Sequence, residues 1–220
     1  MRCILAVAVG LGIAAAVGAA PTAALAEPPA AVLRYRLTHL PTALMKFGGL
    51  EIGRSTIDEV RQRFSATASS ARRGAADAKY LYAKSEDGRE AVTLVFGPSG
   101  GWNTLTGYSI GPPGVSAPTS SSRSETTSAP VGIKIDELGL RKGVDTIAAK
   151  YGVALGGVRE GVVLLDYSGK KPMTDAEQER QKVLEPDLEP NAAWDETLTV
   201  RLSVTDGLLA AIEVNYTLMR

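Results

Sequence analysis

The sequence predicts an α+β protein of two tandem repeats, each a short helix packed on an antiparallel β-sheet. Three observations carry that prediction. Within a nine-residue stretch, Gly49, Leu50, Gly53, Thr56 and Ile57 recur as Gly139, Leu140, Gly143, Thr146 and Ile147, at a constant offset of 90. Both stretches run into a short helical pattern, and strands with period-two alternation follow each of them. Between them lies Gly111 to Pro130, almost wholly Gly, Pro, Ser, Thr and Ala. Such a composition buries too little apolar surface to offset the entropy of ordering, so the segment reads as a flexible linker.

Residues 1–26 have the parts of a secretory signal peptide: Arg2, an apolar stretch from Ile4 to Val17, and Ala24-Leu25-Ala26 before Glu27. The apolar stretch is rich in Ala and Gly and shorter than the roughly 20 residues of a spanning helix, so no membrane anchor is expected after cleavage. Cys3 precedes the apolar region and is not placed for lipid attachment. The expected location is the periplasm or the cell exterior. Taking 26 residues from 220, and with them the one charge of Arg2, leaves 194 residues with 23 basic and 24 acidic side chains. A net charge near −1, without a long run of like charges, gives no electrostatic footprint for nucleic acid or anionic membrane. No cysteine remains, so stability has to come from burial, which a chain of this length allows.

The expected first repeat spans 27–110, the linker 111–130 and the second repeat 131–220. In the first, Ser55 is the expected helix N-cap with Asp58 as its capping-box acid, and Ile57, Val60 and Phe64 line one face. Strands are expected at 80–83, 91–96 and 105–110. In the second, Asp145 is the expected N-cap, Ile147 and Tyr151 share a face, and Gly152 stops the helix. Strands follow at 161–167, 197–204 and 208–218. An insertion at 169–193 carries the capping box Thr174/Glu177 and a charged helix over 175–184, with Glu177/Arg180 and Glu179/Lys182 as pairs on a solvated surface. For the last hairpin, a three-residue Thr205-Asp206-Gly207 loop aligns Val204 with Leu208, Val200 with Ile212 and Leu198 with Val214. A two-residue Asp206-Gly207 loop pairs Thr205 with Leu208 and sets Arg201 against Ile212 and Val200 against Glu213, and the first register is the expected one.

Gly97-Pro98-Ser99-Gly100-Gly101 matches the G-x-S-x-G nucleophile elbow. That elbow needs a strand-to-helix turn and, in its fold, a histidine later in the chain. Here another strand follows, and the single histidine, His39, lies upstream. Ser99 is therefore expected to be a turn residue, and a serine hydrolase built on it is the minor alternative. One histidine without cysteine cannot assemble a structural zinc site. The acidic residues of 175–196 contain no D-x-[DN]-x-[DN]-G loop, and no dinucleotide or Walker motif is present. The expectation is a non-enzyme with no catalytic residues, no cofactor and no metal.

The aromatic residues point to protein binding. Trp102 lies in the glycine-rich loop between two strands, Trp194 just after the insertion, and Tyr80, Tyr82 and Tyr108 lie on strands. Rigid tyrosine and tryptophan side chains are frequent interface anchors. These five are the candidate partner-binding residues, the partner being an unidentified envelope or extracellular protein. A role as an envelope-assembly scaffold component is the alternative.

A glycine, a Ser/Thr cap and a short helix followed by a strand meander, repeated in tandem, resemble the β-lactamase-inhibitor-protein fold, and a single such unit resembles the SmpA/OmlA lipoproteins. The matching residues are Gly53-x-Ser55 with Val60 and Gly143-x-Asp145 with Ile147, plus the strands after each, over most of 47–110 and 133–218. The first helix carries its valine one residue further from the glycine than that pattern. The disulfides of the inhibitor proteins and the lipidated cysteine of the lipoproteins have no counterpart here. The resemblance implies a fold and a binding role, and it carries over no inhibited target.

Overall fold

The alternating apolar residues of the strands gather on one face of a nine-stranded sheet. The computed structural model describes residues 32–64, 68–70, 79–85, 90–97, 104–112, 130–131, 140–146, 152 and 157–220. Its elements, in chain order, begin with β1 (Val32–Arg36), β2 (Lys46–Phe47), β3 (Leu50–Glu51), α1 (Ile57–Phe64), β4 (Ala68–Ser70), β5 (Lys79–Ser85), β6 (Ala91–Gly97) and β7 (Thr104–Gly111). They continue with β8 (Pro130–Val131), β9 (Gly161–Pro172), α2 (Asp175–Leu184), β10 (Ala193–Thr205) and β11 (Leu208–Met219). The sheet runs β1-β9-β10-β11-β7-β6-β5-β4, with β8 added to β5, and β2 and β3 form a separate hairpin. The fold is α+β.

Two antiparallel meanders, β5-β6-β7 and β9-β10-β11, meet at their last strands. The seam is short: Gly107, Tyr108, Ser109 and Ile110 pair with Asn215, Val214, Glu213 and Ile212. Each meander receives a parallel strand on its first strand from the other side of the chain, β1 on β9 and β8 on β5. One apolar face therefore runs without a break through Val92, Leu94 and Phe96, Tyr108 and Ile110, Ile212 and Val214, Leu198, Val200 and Leu202, and Val163 and Leu165, all buried.

A layer of chain covers that face. The Gly48-Gly49 turn between β2 and β3 has positive φ at both residues, 54° and 76°, which glycine adopts without a steric penalty. Leu44, Met45, Phe47, Leu50 and Ile52 are buried around this hairpin, and Ile57 and Val60 anchor α1. Phe47 stacks on Tyr108 at 4.9 Å, and the Tyr108 hydroxyl donates to the Leu44 carbonyl at 3.1 Å. Backbone bonds tie the segment before α1 to the start of β7, Gly53 N to Leu105 O and Leu105 N to Ser55 O. The segment at 141–144 is tied likewise to the start of β11, Arg141 N to Leu209 O and Val144 N to Gly207 O. Leu50 and Leu140, equivalent at the offset of 90, are both buried.

Local details correct the sequence expectations. Thr56, not Ser55, caps α1: its hydroxyl accepts from Glu59 N and its N–H donates to Glu59, while the Ser55 hydroxyl accepts from Glu51 N. Asp58 instead pairs with Arg61. Asp145 lies within a helical turn at 144–146 and not at its start; residues 147–151, with Ile147 and Tyr151, lie outside the described residues. The Thr174/Glu177 capping box and the helix at 175–184 occur as expected. The strands at 161–167 and 197–204 are longer than expected, because β9 and β10 continue through the insertion as a hairpin that carries α2 at its tip.

The last hairpin uses the two-residue loop. Asp206 and Gly207 both have positive φ, 54° and 73°, and Thr205 pairs with Leu208, the turn whose twist matches the flanking strands. A bulge at Ala210 then shifts the register, aligning Leu202 with Ile212, Val200 with Val214 and Leu198 with Tyr216. The apolar face survives because one extra residue restores it.

Gly107 sets the closeness of the seam: a Cβ there would overlap the Val214 carbonyl oxygen. Gly107→Ala is expected to cost about 1–3 kcal/mol, the usual range for forcing an extra carbon into a packed position. Urea unfolding checks it as a lower midpoint at unchanged slope.

Candidate interaction surface

The second face of the sheet, across β1, β9, β10 and β11, is built from the residues that alternate with the core. Strand register arranges them in rows. Arg34, Leu164, Arg201 and Glu213 form one row, and Arg36, Asp166, Thr199 and Asn215 the next. Val32, Val162, Ser203 and Ala211 flank the first row on its other side. Arg34, Arg36, Thr199, Arg201 and Asn215 are exposed, and Leu164, Asp166 and Glu213 are half-buried. Thr199 donates to Asp166 at 3.2 Å and Asn215 to Glu213 at 3.0 Å. No described helix or strand covers these rows. The surface carries hydroxyls, amides and guanidiniums on a rigid frame, which suits contact with another macromolecule more than enclosure of a small ligand.

The candidate aromatic residues scatter. Tyr108 is 1 % exposed and belongs to the core face, so packing, and not partner contact, occupies its ring. Its place follows from alternation with Ile110 on β7. Tyr80 and Tyr82 are on β5, in register with Val95 and Thr93. Trp102 and Ser99 fall outside the described residues; the strands on either side of them, β6 and β7, pair antiparallel with Gly97 opposite Thr104. His39 is exposed in the turn after β1.

Trp194 is half-buried on β10, and its Nε1–H is buried with no acceptor in hydrogen-bonding geometry. It lies near Glu177 at the base of α2. Burial alone raises the Glu177 carboxyl; hydrogen bonds from the Thr174 N–H and hydroxyl, then the Lys171 charge and the pull of the Trp194 N–H, outweigh it and hold the carboxyl below its ordinary value. The indole N–H thus acts on Glu177 through space, without a formed bond.

Next to Trp194 is a polar group that aromatic patterning missed. Glu196 is 7 % exposed on the core face of β10, and its carboxylate accepts from the Tyr216 hydroxyl at 2.8 Å. Tyr167 leans over Gly169, where any Cβ would collide with its phenol ring. Burial, followed by the Glu196 carboxylate, raises both phenols, Tyr216 strongly. The signal was present: Glu196 shares the parity of Leu198 and Val200, so an acid had to enter the core face. A shallow groove of about 440 Å³ lies beside α1, lined by Gly49, Leu50, Ser55, Glu59, Gln62 and Arg63. Arg63 closes its floor by donating to Gly49 O at 3.1 Å. Among the described residues, no three His, Cys, Asp or Glu side chains gather as a metal site would require.

No family model, curated protein or solved structure was found to match this chain.

Tyr216→Phe should cost about 1.5–3 kcal/mol, the range for a hydrogen bond to a charged group. Its phenol is raised in the folded state, so the native chain keeps that proton where the unfolded chain has lost it. The stability it adds is complete below the ordinary phenol value of 10.0 and is lost as pH rises beyond it. Unfolding titrations above that value should show a steeper loss for the parent than for Tyr216→Phe.

Proposed function

We propose that the chain is an exported, non-catalytic protein-binding module whose contact surface is the open face of β1, β9, β10 and β11. The observation that carries the reading is the asymmetry of the sheet. One face is sealed by the 44–60 segment and α1, while rows of Thr, Ser, Asn and Arg on the other stay half-buried or exposed without a described cover. A sheet face with its core role on one side and an accessible mixed surface on the other is the form that stable protein contacts use.

The tandem-repeat reading belongs to the same proposal. It is supported by the meeting of the two meanders at their last strands, by the equivalent buried Leu50 and Leu140, and by the backbone bonds that tie a segment near each of these leucines to the start of β7 or β11. Two repeats related in this way would place their strands in one wide surface. The hydrolase alternative loses support from the pairing on either side of Ser99, since an elbow leads from a strand into a helix and not into a hairpin partner.

The test is capture from envelope extract with residues 27–220, compared with two variants. Thr199→Trp adds bulk at the centre of the open face, and Gln62→Trp adds the same bulk at the α1 groove. One stoichiometric partner held by the parent and by Gln62→Trp, and lost with Thr199→Trp at unchanged melting temperature, is the expected result. Retention by all three proteins, or by none, would remove the open face as the contact surface.

A further inference from the structure

The free edge of the sheet at β1 narrows the chemistry of the partner. β1 is the terminal strand of the sheet order, and among the described residues no strand pairs with its outer side. Its register on β9 pairs Leu33 with Val163 and Tyr35 with Leu165, and Leu37 N donates to Asp166 O. In a parallel ladder alternate residues bond the neighbouring strand, so Leu33, Tyr35 and Leu37 use their backbone groups on β9. The N–H and C=O groups of Arg34 and Arg36 then point outward, along an edge that can accept one more strand.

The same two residues carry guanidiniums on the open face, and Arg201 joins them two strands away in the row of Arg34. All three are exposed and none makes an ion pair among the described residues. The two carboxylates in these rows are held by neutral donors, Asp166 by Thr199 and Glu213 by Asn215, and a third further along the same face of β10, Asp195, pairs with Lys170. Beside Arg34 on the same face lie Val32, 58 % exposed, and the half-buried Val162 and Leu164. A strand added to β1 would put its side chains roughly 5 Å from those of Arg34 and Arg36, and every second one would fall on the open face.

We infer that the outer edge of β1 takes an extended acidic segment of the bound protein as an added strand, with carboxylates at alternate positions meeting Arg34 and Arg36. This rests on the binding-module reading and makes it specific. Arginine suits the task, because its planar fork engages a carboxylate through two parallel hydrogen bonds. Charged side chains on an edge strand also serve simply to repel other edges. That simpler role predicts no affinity for an acidic strand, and the experiment separates the two.

The probes are fluorescein-labelled decapeptides, five Thr-Glu repeats and, as uncharged twin, five Thr-Gln repeats. They are titrated into residues 27–220, with backbone amide shifts followed by NMR. The acidic peptide should bind at least ten-fold more tightly than its twin and move the amides of Arg34 and Arg36. Arg34→Gln with Arg36→Gln should weaken it at least ten-fold, and Arg34→Lys with Arg36→Lys should restore part of the loss. Equal binding of the two peptides, unmoved β1 amides, or indifference to the glutamine pair overturns the inference. So does dimerisation through β1 in the absence of peptide, seen by sedimentation. If the envelope partner is lost with Thr199→Trp but held fully by the glutamine pair, the edge inference fails and the binding module stands. If Thr199→Trp also holds it, the open face itself is removed as the contact surface.

Discussion

The pairing of β7 with β11 is the contact on which the rest of the molecule depends. It is only four residues a side, yet it makes one core out of two meanders of three strands. On the core face it sets Tyr108 and Ile110 beside Val214 and Ile212, all within a few per cent of complete burial. Burying one such side chain contributes about 1.5–3 kcal/mol, so opening the seam would expose a large part of the stabilisation of both halves. Other contacts cross between the halves and act in the same direction. Gly53 packs against the Tyr216 ring, and the buried Glu90 carboxylate pairs with Arg141. The exchanged strands β1 and β8 add a backbone link at each end of the sheet. The two halves are cooperative by construction, whatever their origin.

At one end the core face changes character. Beyond Leu198 the same side of β10 carries Glu196 and then Trp194, and Tyr167 and Tyr216 stand across from it on the adjacent strands. A carboxylate taken from water is costly unless its acceptors are used. Tyr216 satisfies one of them directly. The cluster therefore ends the apolar core without leaving it open, and it lies under the α2 protrusion, a helix with no buried residue of its own.

Much of this was legible in the sequence, for a physical reason. Strand positions in 91–110 and 197–218 and the capped helix at 175–184 rest on local signals: period-two alternation, a capping box and a proline stop. Those signals act over a few residues, and the structure reproduces them. The α1 cap moved by one residue, because Ser55 and Thr56 both offer a hydroxyl and that of Ser55 accepts from Glu51 N, which leaves Thr56 to cap. The hairpin register missed the bulge at Ala210, since alternation alone does not count an extra residue. The exchange of β1 onto β9 left no trace at all: pairing between residue 34 and residue 164 is a matter of topology, and no local pattern carries it. Tyr108 shows the limit for site residues. An aromatic on a strand reads equally as anchor or core until the covering layer is known, and here Phe47 and Leu44 supply that layer.

The exchanged strand also explains how core and surface are held in step. β1 is parallel to β9, and parallel strands are ordinarily covered on both faces. This one is covered on a single face, where Tyr35 packs against the core, while Arg34 and Arg36 stay in water. A slip of one residue would reverse every side chain, sending both guanidiniums into the apolar layer and Tyr35 outward. The cost of burying an unpaired guanidinium excludes that state. The same alternation that seals the core therefore pins the arginines to the open face and their backbone groups to the free edge. Flat, shifting edges promote indiscriminate pairing; an edge whose register is locked by its own core residues can present one charge pattern, and only a strand with the matching pattern gains from adding to it.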